Sequence, residues 1–355
     1  MSDGHRTDPL RDVERALVIK LRHHGDVLLT SPVFSVLRHH RPGIEIDALV
    51  YEETTPLLQD HPAIRHIHAI RKGGGAAADW RLAKTLRRQR YDLVIHLTES
   101  WRGALLCRYL RPRISVTARW PRRAGSRFWQ RSFTHHYPLP QRLRHTVEKH
   151  LDALRCLGIH PAPEERALLM VPGSEAEASV NRILDRNGLR GRPFIHFHPT
   201  SRWLFKCWGI GQCSRFIALL QQRGHPVVVT AAPTPAELKR IKAILEPLEQ
   251  PVVDLSGELN LRELAALTAH ARCFVGMDSV PMHIAAAMDT PVVALFGPSG
   301  DDEWGPWMVP QRVLTTPVPC RPCGMDGCAG SKVSDCLERI PPEAALAAVE
   351  ELIGA

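Results

Sequence analysis

Val275-Gly276-Met277-Asp278-Ser279-Val280-Pro281-Met282-His283-Ile284-Ala285-Ala286-Ala287, then Thr290-Pro291-Val292-Val293-Ala294-Leu295-Phe296-Gly297-Pro298-Ser299, is the stretch whose reading decides the fold. A short apolar run ends in a polar pair, a helical segment follows, and a second β-branched run ends in a second loop. Strands alternating with helices in this way are the pattern of βα units in a parallel sheet. Ser279 is a suitable N-cap and Pro281 fits a first helical turn, so the unpaired N–H groups there face whatever lies beyond the strand ends. Asp278 and Ser279 can exchange hydrogen bonds with a ribose or sugar, and His283, one turn on, can reach a diphosphate oxygen. A plain capped helix with a satisfied histidine fits the same residues, so the rest of the chain has to decide.

The alternation continues in both directions. Strand-like runs at 16–21, 44–50, 66–70, 92–97 and 114–116 are followed, beyond a helix at 145–157 and the Gly158-Ile159-His160-Pro161 break, by a second series. That series comprises 194–198, 227–230, 252–255, 273–277 and 292–296. Helical segments at 32–40, 80–90, 211–223, 235–245, 261–270, 281–288 and 342–353 lie between or after them. Two similar halves of stacked βα units are expected, each with a parallel sheet that binds ligand beyond the C-terminal ends of its strands. The halves are expected at 1–160 and 161–340, with a closing helix at 341–355.

Composition narrows the class. A chain of 355 residues that is 44% hydrophobic and 23% charged is long enough for two domain cores. No apolar run reaches the length of a membrane span and the polar start lacks a signal-peptide core, so a cytoplasmic protein is expected. The net charge is +9. Between Arg111 and Arg131 lie Arg111, Arg113, Arg119, Arg122, Arg123, Arg127 and Arg131, interleaved with Trp120, Phe128 and Trp129. Guanidinium groups with aromatics suit nucleic acid or an anionic lipid surface, and a solvated loop is the plainer alternative. Cys320, Cys323, Cys328 and Cys336 cluster in a Gly- and Pro-rich loop. Four thiolates can complete a zinc tetrahedron, but the paired C-x2-C knuckles are missing, and reduced structural thiols are the plainer reading.

Three loops carry chemistry. After the first strand, Lys20-Leu21-Arg22-His23-His24-Gly25-Asp26 places a carboxylate after a turn glycine, where it can take a proton from an incoming hydroxyl or simply charge a helix N-terminus. After the first strand of the second half, Thr200-Ser201-Arg202-Trp203-Leu204-Phe205-Lys206 offers two hydroxyls and a compact cation to a diphosphate. The third is the Asp278 to His283 segment. Neither G-x-G-x-x-G nor G-x-x-x-x-G-K-[ST] occurs, which sets aside NAD enzymes and P-loop ATPases. No D-x-D is present either, so no metal held by such a motif is expected; Asp301-Asp302-Glu303 reads as a helix-start charge cluster.

Taken together, K-x5-D after the first strand, T-S-R-x3-K-x-W, and D-S-x3-H-x-A-A-A followed by P-V-V-A-L-F-G-P-S resemble glycosyltransferase family 9, the ADP-heptose:lipopolysaccharide heptosyltransferases. The resemblance spans nearly the whole chain with the motifs in family order. It implies an α/β GT-B fold, two Rossmann-like domains with parallel sheets facing across a cleft, the acceptor on the first half and ADP-heptose on the second. It places Asp26 on the catalytic base and Thr200, Ser201 and Lys206 on the diphosphate loop. Asp278, Ser279, Val280 and His283 fall on the sugar-nucleotide motif, Glu237 at the ribose, Leu259 at the adenine wall, and Lys20, His145 and Lys149 at acceptor phosphates. It further implies an inverting transfer with no cofactor. The acceptor is a lipid A-linked core oligosaccharide at the cytoplasmic face of the inner membrane, against an anionic surface and without nucleic acid. The rivals are a nucleotide-sugar epimerase or a transferase of another activated sugar on the same scaffold, and a zinc-containing nucleic-acid-binding protein.

Overall fold

A computed structural model describes residues 9–139 and 143–354. Residues 1–8 of the polar start, residues 140–142 and Ala355 of the closing helix lie outside them. The chain divides between Leu169 and Met170 into two compact units.

The first unit runs β1 (Arg15–Lys20), α1 (His24–Leu28), α2 (Ser31–His40), β2 (Glu45–Tyr51), β3 (His66–Ile70), α3 (Ala76–Arg88), β4 (Leu93–His96), α4 (Trp101–Leu110), β5 (Ile114–Ala118), α5 (Arg127–Gln130), β6 (His135–Tyr137) and α6 (Thr146–Arg155). The second runs α7 (Ser174–Arg186), β7 (Ile195–His198), α8 (Ile210–Gln222), β8 (Val227–Val229), α9 (Pro235–Leu245), β9 (Val253–Asp254), α10 (Leu261–His270), β10 (Cys273–Met277), α11 (Val280–Ala287), β11 (Val292–Leu295), α12 (Asp301–Trp304), β12 (Gln311–Leu314), α13 (Asp335–Glu338) and α14 (Pro342–Gly354).

Each unit holds one six-stranded sheet, ordered β3-β2-β1-β4-β5-β6 and β12-β11-β10-β7-β8-β9, with every pairing parallel. Counted from its own first strand, the second sheet repeats the order of the first. In both, the order reverses between the first and fourth strands, β1/β4 and β7/β10, which is where open parallel sheets bind ligands.

The central strands, such as β1, β4 and β10, are buried on both faces, which is why they read as unbroken apolar runs. In the second unit, Ile195 and Phe197 of β7 face one cluster with Phe216, Ile217 and Leu220 of α8. Leu346 and Val349 of α14 join that cluster, so the closing helix belongs to the second unit. A separate cluster around Val180, Leu184, Phe194 and Leu267 covers the opposite face. Helix starts follow the sequence. The Asn260 side chain accepts from the Arg262 and Glu263 N–H groups while Glu263 accepts from Asn260 N at 3.0 Å, closing a capping box on α10.

β6, β12, α4 and α7 are additions to the elements read from sequence. Among the described residues no helix is long and apolar enough to cross a membrane.

Candidate active site

In the first unit, β1 ends at Lys20 and α1 begins at His24, so Asp26 lies in a first helical turn. Gly25 does not make the expected turn. It is the second residue of α1, and the change of direction falls on Leu21 to His23. The Asp26 side chain is 14% exposed, with Oδ1 3.3 Å from Lys20 Nζ and 3.8 Å from Arg22 Nε.

Lys20 is buried, and its ammonium also donates to Leu97 O at 3.2 Å and to His150 Nε2 at 2.8 Å. His150 Nδ1 lies 3.0 Å from Leu29 O, so the ring carries its proton there and offers Nε2 as an acceptor. Burial keeps His150 neutral by holding its pKa well below the ordinary value; the same burial lowers Lys20, opposed by the Asp26 charge. All three Lys20 protons thus have acceptors inside the unit: Asp26, Leu97 O and His150. His145 caps α6, its Nδ1 accepting from Val147 N at 3.3 Å, and Lys149 is half-buried on that helix.

In the second unit, the loops after β7 and β10 meet at the point where strand order reverses. Lys206 Nζ and Asp278 Oδ2 are 2.5 Å apart, one from each loop. Ser279 occupies the N-cap position of α11 with extended backbone, but its hydroxyl turns back to Met277 O at 3.5 Å and does not cap the helix. The N–H groups of the first turn, from Val280 on, therefore have no side-chain cap from Ser279. His283 is buried on the same helix, and Leu259 is half-buried against the second cluster.

Behind Thr200 runs a polar chain into the core whose protons can be assigned link by link. Thr268 Oγ1 donates to Leu264 O at 2.6 Å, so it accepts from His196 Nδ1 at 3.1 Å. Burial pushes His196 and His198 down to about 3, so both rings are neutral with one donor and one acceptor each. His196 Nε2 then accepts from Thr230 Oγ1 at 2.7 Å, and Thr230 accepts from His198 Nδ1 at 2.8 Å. His198 Nε2 is left as an acceptor 3.3 Å from Thr200 Oγ1, which lies 2.7 Å from Glu237 Oε2. Thr200 has one proton and gives it to the closer, charged acceptor. Glu237 Oε2 also accepts from Ala232 N at 3.1 Å, so the acid expected at a ribose is held by the loop after β7 and the loop after β8 together.

The zinc expectation is corrected. Among the described residues no group of three or more His, Cys, Asp or Glu is placed to hold a metal ion. Cys320, Cys323 and Cys328 are exposed, whereas Cys336 is buried on α13, where burial raises its thiol pKa and disfavours the thiolate a metal needs. Asp301 opens α12 as expected of a helix-start acid and pairs with Arg321 at 2.9 Å. His150, His196, His198, Thr230 and Thr268 were not singled out from sequence. The signal available was the His-x-His alternation on β7, which puts both rings on one face of the strand.

Residues 79–333 match the model of glycosyltransferase family 9 (heptosyltransferase). The chain belongs to that family. It is 38% identical over 293 residues to the lipopolysaccharide heptosyltransferase 3 of Escherichia coli (strain K12), covering 81% of this chain and 83% of that one. Two solved structures share its fold. One is a family 9 glycosyltransferase from Veillonella parvula, with TM-score 0.82 and 22% identity over 96% of this chain and 97% of that chain. The other is the ADP-heptose lipopolysaccharide heptosyltransferase II of E. coli, with TM-score 0.77 and 22% identity over 96% of this chain and 98% of that chain. The family's GT-B architecture is thus present as two Rossmann-like units with parallel sheets.

Proposed function

We propose that this family 9 glycosyltransferase moves a heptose from ADP-heptose to the lipopolysaccharide inner core with inversion, as a heptosyltransferase III. The observation that carries the reading is the Lys206–Asp278 pair at the β7/β10 reversal, where an ammonium, a carboxylate and a helix start converge. The similarity to heptosyltransferase 3 supports the choice of sugar and acceptor.

In the second unit, Lys206, Ser201 and the N–H groups from Val280 hold the diphosphate, and Thr200 holds Glu237 behind them. His283 stands one turn further along. Asp278 and Ser279 take sugar hydroxyls, Glu237 the ribose, and Leu259 the adenine. When the anion arrives it competes with Asp278 for Lys206, freeing the carboxylate to accept from the sugar. The first unit holds the acceptor, with His145 and Lys149 toward its phosphates and Lys20 acting through Asp26. The acceptor hydroxyl attacks the anomeric carbon as the bond to the diphosphate oxygen breaks. Asp26 takes the hydroxyl proton, and ADP leaves with the bonding pair. The charge growing on its terminal phosphate meets preorganised N–H groups and Lys206, so the reaction as written calls on no metal or cofactor. The enzyme works as a peripheral protein on the cytoplasmic face of the inner membrane.

The test is mass-spectrometric detection of one heptose added from ADP-heptose to a deacylated core acceptor in EDTA. Wild type is expected to transfer. Asp26→Asn is expected to lose about 10²- to 10⁴-fold in turnover, the range of a positioned base, while still binding ADP. A fully active Asp26→Asn enzyme would remove Asp26 from the base role, and transfer abolished by EDTA would overturn metal independence.

A further inference from the structure

Four large apolar side chains stand exposed together on α3, α4 and α5: Trp80 at 50%, Leu105 at 57%, Trp101 at 40% and Phe128 at 40%. They form one surface. Trp80 packs on Tyr109 with ring centroids 5.0 Å apart, and Trp101 on Phe128 at 6.0 Å. Between α3 and α4 the surface opens into a cavity of about 390 Å3, lined by Leu21, Ile70, Leu82, Leu86 and Leu106 and by the Arg102–Asp79 ion pair.

Cations sit over the same rings. Lys84 lies 5.4 Å from the Trp80 ring, Arg87 5.4 Å from Tyr109, Arg108 5.1 Å from Phe128 and Arg123 4.6 Å from Trp101. Asp79 is the single acid on the three helices, and Arg102 neutralises it. From residue 76 to 131 the chain carries 14 Lys and Arg against 3 Asp and Glu, a net +11, whereas the other 299 residues are net −2. The whole positive excess of the protein therefore lies on the segment that bears the apolar surface.

We infer that this face docks the enzyme on an anionic phospholipid bilayer, with Trp80, Leu105, Trp101 and Phe128 entering the interface and the cavity taking an acyl-chain segment. Apolar area and basic charge are the two signals that together give stable peripheral anchoring. Tryptophan suits the headgroup boundary because its ring is apolar with one polar edge. Single-stranded nucleic acid fits less well. Base stacking needs open ring faces, and here cations and neighbouring rings occupy them, while the cavity is lined mainly by aliphatic side chains and its one ion pair is closed on itself. The inference gives the proposed lipid-linked acceptor a physical platform, but its test needs no sugar transfer.

The full chain is mixed with vesicles of phosphatidylcholine alone, with vesicles also containing phosphatidylglycerol, and with a single-stranded oligonucleotide. Binding is expected to favour the anionic vesicles by at least about tenfold and to weaken as salt rises. Brominated acyl chains are expected to quench tryptophan fluorescence, which charge attraction at the headgroups alone would not do. Leu105→Gln/Phe128→Gln is expected to lose the quenching, and Lys84→Gln/Arg108→Gln the preference for anionic lipid. Both variants should melt as wild type does and transfer normally to a deacylated acceptor. Binding without quenching, unchanged binding by both variants, tighter binding to the oligonucleotide than to anionic vesicles, or no vesicle binding would each overturn the inference.

Discussion

Thr200 shows how far a single proton can decide a site. Its hydroxyl stands between Glu237 Oε2 at 2.7 Å and His198 Nε2 at 3.3 Å, and the chain back to Thr268 fixes every other proton. Thr200→Val keeps the shape and removes the donor, leaving the buried Glu237 carboxylate without one of its partners. A hydrogen bond to a charged group is worth about 1.5–3 kcal/mol, so the KM for the sugar nucleotide should rise roughly 10- to 100-fold while kcat changes little. Thr200→Ser should restore it to within about threefold, because the hydroxyl returns. Steady-state kinetics with varied donor settles this, and an unchanged KM in Thr200→Val would mean that the hydroxyl does not hold Glu237 for the donor. Lys206, Asp278 and Thr200 were legible in sequence because each sits in a polar loop directly after an apolar strand. His196 and His198 were not, because a buried neutral imidazole inside a strand looks like any other core-facing residue until Thr230 and Thr268 are seen beside it. Lys20 was singled out for an acceptor phosphate; its inward direction depends on His150, 130 residues away in sequence.

At the scale of elements, the parallel strands and their long amphipathic helices could be read, whereas the pieces with weak periodicity could not. β12, Gln311-Arg312-Val313-Leu314, is a half-exposed edge strand with two polar residues. α4 presents Trp101 and Leu105 outward, so its apolar residues do not trace one buried stripe. What α4 does bury depends on Gly103. A Cβ there would enter the His96 imidazole at the end of β4, and that ring cannot retreat. It is stacked on Phe133 at 5.3 Å and packed on Trp129 at 5.7 Å. Glycine to alanine inside a helix ordinarily stabilises by up to about 1 kcal/mol. Gly103→Ala is expected to destabilise instead, by about 1–3 kcal/mol, as overpacked cores do. Urea denaturation of the two proteins side by side reads the sign directly, and a variant as stable as wild type would mean that α4 does not rest on His96.

For the whole molecule, the same burial of imidazoles sets how stability responds to pH. His61 is pushed down to about 4 and His96, His196 and His198 to about 3, all by burial, and His150 lies well below its usual value. The first, second and last of these residues by cause and place, His61, His96 and His150, belong to the first unit; His196 and His198 belong to the second, so both units carry the effect. Each ring is neutral when folded and returns to a pKa of about 6.5 when unfolded. Below about pH 6.5 the unfolded chain binds protons that the folded chain does not, so stability falls as pH drops through that value. The loss continues until the folded pKa values are reached, near pH 3 to 4. Each imidazole contributes a slope of about 1.4 kcal/mol per pH unit within that window and nothing above it. Five such groups make acid unfolding steep well before ordinary carboxylates begin to titrate near pH 4. Calorimetric unfolding at pH 5, in buffers of different ionisation enthalpy, should therefore report an uptake of about four to five protons, against far fewer at about pH 7.5, where unfolded histidine is mostly neutral. An uptake of one or fewer at pH 5 would mean that these rings are already charged or solvated in the folded protein, and with them the proton assignment behind Thr200 would fall.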